Sequence, residues 1–138
     1  MKINVKSVIT SGLISGLIIS LSAITMVPVV GNEMDQVLAN RGLPPLSKMA
    51  MLFFTMISFI NGISLVLVYA LVKNHFGAGI KTSVIVSLVF WFLTYFLSNA
   101  SLIAYGFMPV RLTVIGTVWG LGELLLAGIV GSKLYKDA

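Results

Sequence analysis

The sequence predicts an all-α integral membrane protein: one bundle of four transmembrane helices, up-down antiparallel, with both termini cytoplasmic. Three observations predict it. Of 138 residues, 58% are hydrophobic and only 9% charged, against roughly 25% charged in a soluble domain. Mean hydropathy is +1.06. Four apolar stretches each reach the roughly 20 residues that a helix needs to cross a hydrocarbon core about 30 Å thick.

The spans fall at about residues 7–30, 49–72, 82–105 and 112–134, and none carries an Arg or an Asp. They lack the alternating pattern of a membrane β-barrel, and in lipid each segment has to satisfy its own backbone. The first span follows Lys2 and Lys6 and has Ser20 and Ser22 two apart, as a secretory signal would. Its apolar run exceeds the usual 7–15 residues of such a signal, so it reads as a retained helix.

Residues 31–47 form the longest connection, an outer loop. Within it Asn32 is placed to cap a short helix over 33–40 that Gly42 ends, with Met34, Val37 and Leu38 on one face. The second connection, Lys73 to Lys81, reads as a glycine-containing turn whose Lys73, His75 and Lys81 reach lipid headgroups. Phe76-Gly77-Ala78-Gly79 lacks the ending and the preceding strand of a phosphate loop. The third connection, Gly106 to Arg111, is the shortest.

Charge orients the bundle. The net charge is +5, but the basic residues stand singly between apolar runs, which points to topology and not to nucleic acid. Lys2, Lys6, Lys73, Lys81, Lys133 and Lys136 fall on one side; Arg41, Lys48 and Arg111 fall on the other, beside Glu33 and Asp35. The positive-inside rule assigns the six-lysine side to the cytoplasm.

Composition also excludes chemistry. With no cysteine there is no disulfide, iron–sulfur ligation or thiol catalysis, and a single histidine, His75, cannot supply a bis-histidine haem. No nucleophile–base pair stands at a shared depth. The expectation is a non-enzyme with no cofactor and no metal.

Glu123, at the midpoint of the fourth span, is the residue that most needs a reason, because an acidic group at the bilayer centre costs roughly 3 kcal/mol. It is either a proton- or cation-binding carboxyl or a protonated group glued to a neighbouring helix. Asn61 in the second span and Ser20 in the first lie at similar depth and make the candidate intramembrane polar site with it. The fourth span carries small residues on Glu123's stripe, at Gly116, Gly120, Ala127 and Gly131, and the first carries Gly12 and Gly16. Such stripes let helices approach closely, within one chain or between chains. Trp91, Tyr95 and Trp119 form either a wall for a flat hydrophobic ligand or interhelical bulk. Ser98, Asn99 and Ser101 make the outer end of the third span polar.

Phe76-Gly77-Ala78-Gly79, Lys81-Thr82, Trp91 and Tyr95, with the closing pattern Trp119-Gly120, Glu123, Ala127, Gly131 and Tyr135, resemble small bacterial four-helix membrane proteins of no assigned activity. The resemblance covers the second half of the chain and implies a bacterial inner (plasma) membrane. Two functions follow as expectations. One is a non-catalytic accessory or structural subunit in the lipid bilayer, packing small-residue stripes on a membrane protein partner. The other is a homo-oligomeric proton- or cation-coupled small carrier or channel using Glu123.

Overall fold

A computed structural model describes residues 2–138. All its regular elements are helical: α1 (Val5–Asn40), α2 (Lys48–Phe76), α3 (Ile80–Trp91), a π-helical turn (Phe92–Phe96), α4 (Leu97–Ala104) and α5 (Val110–Leu134). Because α3, the π turn and α4 run on without interruption, four helices are long and apolar enough to cross a membrane.

The first helix departs from expectation. It does not stop near residue 30 and restart under an Asn32 cap; α1 continues for 36 residues through Pro28 and Gly31. Continuing costs about 3 kcal/mol at Pro28 and about 1 kcal/mol at Gly31, but it avoids exposing a set of unpaired backbone groups at a break. Gly42 does end it. At φ +70°, Gly42 donates to Ala39 O (3.0 Å) and Leu43 to Leu38 O (2.9 Å), a Schellman motif. Gly106 closes α4 in the same way, with Gly106 donating to Ile103 O and Phe107 to Leu102 O. The connection after α1 therefore shrinks to residues 41–47, and Ser47 caps α2 by accepting from Ala50 N (3.1 Å).

Helix α2 outlasts its expected end by one turn, reaching Phe76. Gly77 and Gly79 then turn the chain with positive φ, and Thr82 Oγ1 donates back to Gly77 O.

The deepest contact joins α1 to α2, and glycine makes it possible. A Cβ placed on Gly62 would lie 2.5 Å from Gly12 O and 2.6 Å from Gly16 Cα; one on Gly16 would lie 2.6 Å from Phe59 Cα. The two backbones touch where side chains are missing, as close-packed helices in lipid require. Gly12 and Gly16 are therefore used within the chain, and their partner Gly62 carries no stripe in the sequence to announce it.

Helix α5 holds α1 on one flank and α3 on the other. Ser15 Oγ donates to Ala127 O (2.8 Å), and Gly131 leaves the space that Ser15 Oγ and Val66 Cγ2 fill. On the α3 flank Ser83 and Ser132 are hydrogen-bonded, and Ser87 Oγ sits where Gly128 lacks a Cβ. Gly116 is different: a Cβ there would meet only Met26 Cε, at 3.9 Å, so of the Gly116–Gly120 pair only Gly120 receives a close neighbour within the chain.

The bundle is closed at one end and splayed at the other. At the closed end the carboxy-terminal tail crosses the base. Lys73, buried, pairs with Asp137 and lies 5.0 Å from the Tyr135 ring centroid, and Asn4 N donates to the Tyr135 hydroxyl (3.3 Å). Lys73 is thus a structural cation and not a headgroup contact. At the far end α2 touches neither the π turn nor α4, and most of α2 residues 49–60 are exposed. The extension of α1 is tied there by Arg111 to Glu33 (2.7 Å) and by Arg41 to Gly106 O (3.3 Å).

Gly62→Leu should force α1 from α2 and cost about 3 kcal/mol, read by unfolding in mixed micelles. Gly116→Ala should cost nothing there. Equal losses would mean that the Gly62 approach is not what joins the helices.

Candidate functional site

The site is built on α5 at Glu123. Small residues flank it on the interior stripe, so α1 and α3 both come close and the carboxyl is buried at 8% exposure. On the α3 side the Tyr95 hydroxyl donates to Glu123 Oε1 at 2.6 Å. Gly120 makes room for this: a Cβ there would lie 2.5 Å from Tyr95 Cδ1.

The π turn sets the face that Tyr95 presents. In an unbroken α-helix, Trp91, Tyr95 and Asn99 would drift by roughly 80° around the axis. Leu97 N–H reaches back five residues to Phe92 O, which takes up one residue and removes most of that drift. All three side chains then meet α5. The Trp91 indole donates to Thr117 O (2.8 Å), Tyr95 to Glu123, and the Asn99 amide to Thr117 Oγ1 (2.8 Å). Such turns recur at functional sites.

On the α1 side Glu123 lines an open groove of about 890 Å³ between α1 and α5. Its walls include Ile18, Leu21, Val114, Val118 and Leu126, with hydroxyls only from Ser22 and Thr25. The Trp119 indole donates to Ser22 Oγ (2.9 Å). Ser22 and Glu123 both line the groove. Glu123 is therefore held from the protein side by one phenol and faces an apolar groove on the other.

The cluster expected from sequence is rearranged. Asn61 does not bond Glu123; Tyr95 does. The helix registers explain why. Gly62 sits against Gly12 and Gly16, while Ser22 meets Trp119 and Ser15 meets Ala127. Asn61 is thereby placed about one turn, roughly 5 Å, nearer the closed end than Glu123. Ser20 is buried with its Oγ unpartnered, and Ser22, two residues on, is the serine in the groove.

The aromatic wall also divides. Of Trp91, Tyr95 and Trp119, only Trp119 lines the groove; the other two tie the third span to α5. Asn99 likewise meets α5. The signal for Tyr95 was its four-residue step from Trp91, but the π turn that aims both leaves no mark in hydropathy.

Among the described residues, no group of three or more His, Asp or Glu is placed to hold a metal ion. No known protein family matches the chain, and neither a curated protein nor a solved structure matches it.

Tyr95→Phe removes the one hydrogen bond that α3 and its π turn give the carboxyl. It should cost about 1 kcal/mol and move the Glu123 carboxyl band in the infrared difference spectrum. A band left in place would show that the phenol does not hold the carboxyl.

Proposed function

We propose that the chain is a small membrane carrier in which Glu123 binds and releases a proton or a cation, working as a homo-oligomer because each chain supplies one ionisable group at that depth. One observation carries the reading: the carboxyl is pinned by Tyr95 on one side and open to a groove on the other. An ionisable group inside a membrane that faces a cavity is by default a functional one.

The small-residue stripes speak against their use in joining a larger assembly. Gly12, Gly16, Gly120 and Gly131 are each filled by a neighbour in the same chain. The accessory-subunit reading keeps one separate support, the splayed end. There α2 parts from α4 and leaves Phe53, Phe54 and Met56 exposed, a cleft that a partner's helix would fill. Neither reading makes the chain an enzyme.

The arrangement in the membrane is part of the same proposal. An up-down bundle with both termini cytoplasmic is supported by the lysines. Lys2 and Lys136 lie in the terminal segments, and Lys6, Lys73, Lys81 and Lys133 lie in the helix turns next to those segments or to the Gly77–Gly79 turn, which the Lys73–Asp137 and Asn4–Tyr135 contacts bring together. A bacterial plasma membrane is supported by the resemblance of the second half of the chain.

Reconstituted in vesicles under an imposed potassium diffusion potential, the protein should carry protons faster than empty vesicles. Glu123→Gln should return the rate to the empty-vesicle value while leaving native mass unchanged. Equal rates for Gln and wild type would overturn the carrier reading. Co-migration of the extracted native protein with another polypeptide would favour the subunit reading.

A further inference from the structure

The α1–α5 groove narrows what the carboxyl takes. A calcium or magnesium ion is poorly served there. Calcium takes six to eight oxygen ligands and magnesium keeps an octahedral shell, whereas this groove offers one carboxyl and the hydroxyls of Ser22 and Thr25. The remaining wall is hydrocarbon, with the Trp119 ring one turn from Glu123. No lysine, arginine or histidine lines the groove, so the carboxyl has no counter-charge from its own walls.

An organic ammonium answers each of these features. Its alkyl body matches Ile18, Leu21, Val118 and Leu126, its charge matches Glu123, and an indole nearby attracts a cation over its face. Gly122 keeps the passage clear, since a Cβ there would meet nothing within 4 Å. The groove is open-sided and lies on apolar transmembrane helices, so a molecule dissolved in the bilayer enters from the side without crossing water.

We infer that the α1–α5 groove is a lateral binding site for an amphiphilic organic cation, an alkylammonium whose head group pairs with Glu123 between Ser22 and Trp119. This rests on the reading of Glu123 as a carboxyl open to the groove, and it adds the class of ligand.

Trp119 is a built-in reporter. The chain has two tryptophans, and Trp91 is turned to Thr117 on the other flank of α5. Three bromine-labelled twelve-carbon probes of equal length would be added to protein in lipid nanodiscs: a trimethylammonium, an alcohol and a sulfate. Quenching would be followed in wild type and in Trp91→Phe, which leaves Trp119 alone.

The expected result is saturable quenching by the ammonium with an apparent Kd about tenfold or more below that of the alcohol, and none that saturates with the sulfate. Glu123→Gln should erase the difference between ammonium and alcohol. Gly122→Phe should abolish saturable quenching by filling the groove, with native mass unchanged.

Equal quenching by all three probes would overturn the inference, because it marks a surface wetted by lipid without charge selection. This comparison needs no variant, so it holds even if Glu123→Gln fails to fold. Trp119 shielded from all three in a particle of two chains would also overturn it, with a second copy as the occupant. Proton flux that depends on Glu123 without charge-selective quenching would remove this inference alone. Charge-selective quenching without flux would leave the binding site and remove the carrier.

Discussion

The approach of α1 to α2 at Gly12, Gly16 and Gly62 is the constraint on which the remaining geometry depends. Lipid gives two apolar helices no hydrophobic reason to associate, so packing and hydrogen bonds have to do so. Backbone contact at these glycines fixes the register of α1. With α1 placed, Ser15 reaches Ala127 and Ser22 reaches Trp119, and α5 is fixed in turn. Glu123 is then turned with one side to Tyr95 and the other to the groove.

A second constraint comes from the third span. A plain α-helix there would carry Asn99 away from α5 and loosen the contacts on which Tyr95 depends. The π turn keeps Trp91, Tyr95 and Asn99 on one side, and Gly120 opposite receives the Tyr95 ring. Geometry that stabilises the span is thus the same geometry that aims the phenol at the carboxyl. Irregular hydrogen bonding within a membrane is tolerated where protein covers it, and α5 supplies that cover.

Much of this was legible in the residues, and what was not has a physical reason. Four apolar runs and isolated charges announce the four helices. The cost of an acid in hydrocarbon singles out Glu123 without any knowledge of its neighbours. Helix rotation and register, however, are set by contacts across the bundle, so Asn61 and Ser20 are equally plausible from depth alone. They lose to Tyr95 and Ser22 only when Gly62 has fixed α2 and the π turn has fixed the third span. The extent of α1 was obscured differently. Pro28 and Gly31 are ordinary stop signals, but this helix ran past them to a stronger one, the left-handed turn at Gly42. Lys73 reads as a surface charge because its partner, Asp137, lies 64 residues away in sequence.

The length of α1 has a mechanical consequence. Its 36 residues measure roughly 54 Å, well over the 40–45 Å of a whole bilayer with its headgroups. The helix therefore stands proud of the membrane or leans strongly within it. Its far section is braced by Arg111 and Arg41, and the same continuous rod forms one wall of the groove farther down. That wall, residues 18–25, lies between the glycine contact with α2 and Pro28. The braced extension and the wall of the space beside Glu123 thus belong to one helix.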